Sequence, residues 1–456
     1  MSSGLNGLLQ PLAEAVTECG QKTPWCSGTW DVSPEDLKLY FDSGENYVRA
    51  IRLQQATENH LEDLVKACQP ATFGVNDQDV LDESYRKAGK MDTDRFSINF
   101  NPERLGLARA IKDNLLGWED DGRNIVLEQY KLNVYGKGSF FKSHKDTPRG
   151  EKMFGSLVVI FPTAHEGGAL LLRHDGQETT FDSGKQLKDQ AAGTIAFVAF
   201  YSDVEHEVQV VTAGHRVTIT YNLYFADEKA PILLPRTANQ GAGRFSCALK
   251  DLLANPEFLP KGGLLGFGLK HQYPLSSKPK TDIGLENLLT CLKGKDAMVL
   301  RACTELGLLT SLKIIYNVEF GEWLLMCDKA IVGLDYQVDQ VLEDLVQYSG
   351  GVAIWGKEEV VEEWPELAEK FWRKIVKWVT PMKSMTTHAG QFVAYGNQAE
   401  MAYIYGQISL IVEVGIPGHR EDPSTIVPFD FTKGRVEVDD PDLSDSRGYM
   451  MDEDSD

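Results

Sequence analysis

Four residues of this chain could share one reaction. His144 and Asp146 sit at i and i+2 in the run Phe140-Phe141-Lys142-Ser143-His144-Lys145-Asp146. In an extended strand both side chains leave the same face. His206 lies sixty residues beyond Asp146, and Arg216 ten residues after that. A second imidazole brought from a distant strand would complete two nitrogens and one carboxylate around a metal. Such a set leaves coordination positions open, the arrangement associated with non-haem Fe(II) and dioxygen. Arg216 falls where a guanidinium fork could grip a dicarboxylate cosubstrate. No single piece is specific, but the ordered combination is.

Arg216 starts a series with Thr218 and Thr220 on one strand face, while His215, Val217 and Ile219 occupy the other. A buried arginine needs an anion and hydrogen bonds, because an uncompensated buried charge is very costly. A cosubstrate carboxylate supplies that anion, with the Thr218 hydroxyl in support. Tyr135, nine residues before His144, could donate its phenol to a carboxylate; an aromatic core residue is the competing reading. Glu205 and Glu207 flank His206 as exposed residues or as carboxylates holding its free ring nitrogen. His165 and His174, beside strand turns, read as solvent-facing. Phe140 and Phe141 read as core or as a cavity wall.

These residues need a scaffold that brings distant strands together. From about 126 the chain shows eight short β-rich runs, at 126–135, 139–146, 156–162, 168–173, 177–182, 193–201, 206–211 and 215–225. Turn-prone clusters such as Glu166-Gly167-Gly168 separate several of them. Eight strands in about 100 residues suggest a double-stranded β-helix, or jelly roll, enclosing a cavity. Residues 1–125 read as a mainly helical support region. Its cues are the stripe Leu8, Leu9, Leu12, Ala13 and Val16, the cap Ser33-Pro34-Glu35-Asp36, the stripe Leu61, Leu64, Val65 and Cys68, and the run Ala108 to Leu116. Residues 227–435 read as an α+β region, with strands at 313–318, 322–326 and 407–413, a helix at 285–289 and an amphipathic face at Val338, Val341, Leu342 and Leu345. The fold class is therefore α+β, a jelly-roll core between helical and mixed flanks.

Composition narrows the class. With 67 acidic and 46 basic residues the net charge is −21, which repels polyanions and argues against nucleic-acid partners. Nine acids against the single base Arg447 in 436–456 mark a disordered, solubilising tail. The seven scattered cysteines form no CxxC pair, which fits reduced thiols. No apolar run is long enough to span a bilayer, and the first ten residues lack the pattern of a secretory signal. The expected location is cytoplasmic, with the nucleus as an alternative.

The motif His144-Lys145-Asp146, the distal His206 and Arg216-Val217-Thr218 resemble the Fe(II)- and 2-oxoglutarate-dependent dioxygenase superfamily, in particular its prolyl 4-hydroxylase-like branch. Glu166-Gly167-Gly168-Ala169-Leu170 is similar to that branch's turn-and-strand element, and the flanks resemble a fungal-type intracellular group. The resemblance implies that His144, Asp146 and His206 ligate Fe(II), and that Arg216 pairs with the distal carboxylate of 2-oxoglutarate, assisted by Thr218 and Tyr135. It further implies ascorbate as an auxiliary reductant, and hydroxylation of a protein side chain or small metabolite with succinate and carbon dioxide as coproducts. Retention of Asp146 favours hydroxylation or desaturation, since halogenating relatives replace that carboxylate. Phe141 stands where peptide-hydroxylating relatives often have tyrosine, and Thr218 replaces a more usual serine, so a prolyl substrate is one option only. The alternative is a non-catalytic jelly-roll interaction module that retains a metal site.

Overall fold

The strand Arg216–Lys229 alternates threonine, asparagine and tyrosine with valine, isoleucine and leucine, and both of its faces are buried over residues 216–219. Two-sided burial of this kind places a strand in the middle of a layered domain. The computed structural model shows why. It describes residues 2–427 apart from 19–22, 45–46, 76–77, 117–122, 151, 192, 230–239, 276–282, 319–322, 331–344, 347–348, 357–375 and 396–398. The chain forms two units, Lys22–Pro235 and Met1–Gln21 with Arg236–Asp456.

In the unit Lys22–Pro235 a seven-stranded sheet runs Trp25–Asp31, Thr194–Tyr201, Met153–Ile160, Arg216–Lys229, Arg123–Tyr135, Gly89–Asp92, Gln69–Pro70. A five-stranded sheet runs Gln177–Phe181, Leu170–His174, Glu205–Val208, Phe140–His144, Arg86–Lys87. The eight expected strands are all present, and this is a jelly-roll core. Two short additions, His165–Gly167 and Val211–Gly214, pair with each other.

Register assigns the faces of the large sheet. Tyr135 pairs with Arg216 and Asn133 with Thr218; Ile160 pairs with Thr218, Val158 with Thr220 and Ser156 with Asn222. These residues share one face, and it is unusually polar for a buried layer. The opposite face presents Leu132, Val134, Leu157, Val159, Val217 and Ile219, in one apolar core with Leu37, Leu61, Leu64, Leu107, Ile111 and Leu115. Each such side chain, fully buried, contributes about 1.5–3 kcal/mol. The apolar face thus anchors the sheet and frees the polar face for chemistry.

The reading of residues 1–125 as mainly helical is corrected. Helices do form at Ser2–Glu18, Glu58–Ala67 and Leu107–Ile111, the last continuing as a wider turn over Lys112–Leu116. The Ser33 cap opens only a four-residue 3-10 turn. Nine strands, none longer than seven residues, fill the rest between Trp25 and Ile98. Trp25–Asp31 and Lys38–Asp42 do alternate in burial, but most of the others are two to four residues long, and the intervening helical stripes dominate the local pattern.

The other unit holds a second seven-stranded sheet built around Ala399–Val414, which pairs with Leu309–Val318, Gly263–Gly268 and Thr387–Tyr395. Its core includes Leu9, Leu12 and Val16 of the first helix beside Phe245 and Leu249 of Gln240–Ala254. The expected strands near 313–318, 322–326 and 407–413 are present, as is a short helix Glu286–Leu289. Val338, Val341 and Leu342 and the acidic tail lie outside the described residues. Buried Arg420 donates to the carbonyls of Leu253, Asn255, Phe258, Leu259 and Gly415.

Candidate metal centre

His144 and His206 face each other across the antiparallel pair Phe140–His144 and Glu205–Val208, with ring centroids 4.2 Å apart. Two residues beyond the end of its strand, Asp146 turns back so that its Oδ1 lies 3.7 Å from His206 Nε2. One ligand atom from each of the three falls within 4.8 Å of the others. Sequence proximity supplies two members and strand pairing the third.

The backbone sets the tautomers. His144 Nδ1 lies 2.7 Å from the Lys142 carbonyl and His206 Nδ1 lies 3.1 Å from the Val204 carbonyl. A carbonyl only accepts, so each Nδ1 donates there and each Nε2 is the nitrogen left to ligate. Asp146 Oδ2 accepts from Ser156 Oγ at 2.5 Å, leaving Oδ1 to face the histidine. Phe141 stacks on His144 at 3.5 Å between centroids, and Phe200 packs on His206 at 4.5 Å. Burial, reinforced by the neighbouring His206 ring, holds His144 well below the usual imidazole range. Both features favour neutral nitrogen donors, the form a metal requires.

Arg216 is one of the largest wholly buried side chains among the described residues. Its Nε and Nη2 have no hydrogen-bond partner, and its guanidinium carbon lies 5.6 Å from the Tyr135 ring centroid. Burial pushes its pKa down to about 10. A guanidinium held in the interior without a counter-charge is costly, and an anion would offset that cost. Gly168, at φ +67°, makes room for it, since a Cβ there would meet Arg216 Cδ at 3.0 Å and Val211 Cγ2 at 2.7 Å. Thr218, also buried on this face, donates to the Asn133 carbonyl at 3.4 Å.

Several expectations for neighbouring residues change. His165 is half-buried rather than solvent-facing: Nδ1 donates to the Thr163 carbonyl at 2.8 Å and Nε2 accepts from Ser183 Oγ at 3.1 Å. His174 is likewise sheltered, with Nε2 3.1 Å from Asp203 Oδ2. Glu205 accepts from Ser143, and both Glu205 and Glu207 lie 3.5 Å from Arg173 Nη1, so the Val204 carbonyl and not a carboxylate orients His206. Ser156, Asn133 and Phe200 were not singled out from the sequence. A lone serine heading the apolar run Leu157–Ile160, and an asparagine between Leu132 and Val134, are the signals that mark them.

Residues 130–224 match the family model described as the 2OG-Fe(II) oxygenase superfamily. Comparison with curated proteins gives no match. Among solved structures, similarity extends to a prolyl-4-hydroxylase from Pseudomonas putida, at 17% identity over 47% of this chain and 98% of that one, with a TM-score of 0.28. A prolyl hydroxylase from Trichoplax adhaerens, solved with a hypoxia inducible factor peptide fragment, is 15% identical over 50% and 94%, TM-score 0.28. An oxidoreductase of the 2OG-Fe(II) oxygenase family from Burkholderia pseudomallei is 20% identical over 36% and 76%, TM-score 0.24.

Proposed function

We propose, taking residues 130–224 as a domain of the 2OG-Fe(II) oxygenase superfamily, that His144, Asp146 and His206, together with the polar face of the large sheet that carries Ser156 and Arg216, form the active site of a 2-oxoglutarate-dependent hydroxylase. Its substrate is a C–H bond of a protein side chain, a prolyl ring included, or of a small metabolite. The reading takes 126–226 as the catalytic core and 227–435 as an accessory region. The observation that carries it is the pairing of an open His-Asp-His cluster with an uncompensated buried arginine in one domain.

The residues present fit the implied groups. Two neutral imidazole nitrogens and one carboxylate oxygen suit Fe(II), and the orphaned Nε and Nη2 of Arg216 suit a dicarboxylate. When bound, Fe(II) with 2-oxoglutarate and dioxygen supplies the oxidising power for C–H hydroxylation, with succinate and carbon dioxide as coproducts. Ascorbate would keep the metal reduced. His144, Asp146 and His206 would hold the metal. Arg216 neutralises the remote carboxylate of the cosubstrate, with Thr218 and Tyr135 beside it. Phe141 and Phe200 fix the imidazole planes and exclude water from them.

The test is succinate formation from 2-oxoglutarate by the full chain with Fe(II) and ascorbate. Iron-dependent succinate from the wild type and none from His206→Ala supports the reading. Equal succinate from both sinks it.

A further inference from the structure

Two more cations meet at Asn133, on the face that carries Arg216: Lys90 from the same sheet and Arg86 from the five-stranded one. Arg86, on the edge strand Arg86–Lys87, pairs with Phe141, and its guanidinium carbon lies 4.3 Å from that ring's centroid. The same ring stacks on His144. Arg86 Nη1 donates to the Thr72 carbonyl at 2.7 Å and Nη2 to Asn133 Oδ1 at 2.8 Å, while Nε is buried with no acceptor. Lys90 pairs with Asn133 in the large sheet, is 8% exposed, and donates from Nζ to Thr72 Oγ1 at 2.8 Å.

Two positive charges from two strands therefore converge on one neutral residue, Thr72. Among the described residues neither has an ion-pair partner, whereas Lys131, further along the Asn133 strand, has Asp92 at 3.8 Å. Carboxylates are not scarce in a chain with 67 acids and 46 bases. Like charges held together in a low-dielectric setting repel, and neutral acceptors do not offset that repulsion. A single anion between them would.

We propose that Arg86 and Lys90, with Thr72 and Asn133 between them, form a second carboxylate site, separate from Arg216, that holds an acidic group of the molecule being oxidised. That identification of the ligand as substrate rests on the hydroxylase reading; the anion site itself does not. Arg86 and His144 both pack on the Phe141 ring, so the held carboxylate lies one aromatic ring from the candidate metal ligands, and the C–H bond presented there belongs to an acidic molecule. The carboxylate comes from a free organic acid or from an Asp or Glu side chain of a peptide.

Anaerobic calorimetry on the full chain, saturated with Mn(II) and 2-oxoglutarate so that Arg216 is occupied, tests this. The probes are N-acetylglutamate and the blocked peptide Gly-Gly-Glu-Gly-Gly, each against its Gln counterpart. The wild type binds at least one Glu probe about ten-fold more tightly than its Gln counterpart, Arg86→Gln abolishes the preference, and Arg86→Lys keeps part of it. Affinity for 2-oxoglutarate changes less than about two-fold in both variants. Which Glu probe binds more tightly names the source. No preference in the wild type, or a preference retained in Arg86→Gln, overturns the site. Arg86 packs on the buried Phe141 ring, so Arg86→Lys, which keeps charge and stem there, separates loss of the site from loss of packing; Lys90→Gln is a further check in which the same loss is expected. Because the readout is heat of binding, a failure of succinate formation would count against the hydroxylase reading alone.

Discussion

Two buried arginines, one in each unit, have opposite surroundings. Arg420 spends its donors on five backbone carbonyls of its own unit. Arg216 leaves Nε and Nη2 with nothing to bind. Asp296 resembles Arg420: although wholly buried, with burial raising its pKa, it accepts from the Lys270 and His271 amides and from the Tyr273 hydroxyl. Where the protein satisfies a buried polar group itself, that group holds the fold together. Where it leaves one open, the interior carries a charge that an incoming anion would compensate.

That contrast can be broken in several ways. The largest effect is expected at the open ligand positions. Asp146→Ala should reduce iron-dependent succinate formation to background with unchanged circular dichroism, and retained activity would remove Asp146 from the ligand set. The two arginines come next. Arg420→Met should destabilise its unit by about 3–5 kcal/mol, since it strips the donor from several buried carbonyls. Arg216→Met should leave the fold as stable or stabilise it by about 1–3 kcal/mol, while weakening 2-oxoglutarate on the order of 100-fold. Denaturant titration with cosubstrate binding decides; equal destabilisation by both would erase the distinction.

Smaller effects sharpen it. Ser156→Ala removes the hydrogen bond that aims Asp146 and should weaken Mn(II) or Fe(II) binding about ten-fold; unchanged affinity would leave Ser156 as packing only. The smallest concerns acid. Burial depresses the His165 pKa in the folded chain. The unfolded chain therefore binds more protons below the ordinary value of about 6.5, and stability is lost as pH falls through it. His165→Gln should flatten that loss in metal-free protein; an unchanged pH profile would mean His165 does not contribute.

The grouping of the candidate residues was more legible in the sequence than its support. His144 and Asp146 betray themselves by spacing, and His206 and Arg216 by their place on late strands, because a period of two writes the faces of a sheet into the chain. Val217 and Ile219 were correctly read as facing away from Arg216 by the same rule. Ser156 was absorbed into the apolar run it begins, since one polar residue hardly alters a local average. Arg86 and Lys90 fall in a stretch of two- to four-residue strands that leave no periodic trace. The union of residues 1–21 with 236–456 depends on contacts between chain segments far apart, which no local window can express.

The facing of His144 and His206 across neighbouring strands has a consequence for assembly. Sliding one strand past the other by a single position would send one imidazole to the far side of the sheet. Such a misaligned chain would keep most of its backbone hydrogen bonds yet have no use for a metal. An ion held by both imidazoles would therefore favour the correctly aligned sheet over the misaligned one.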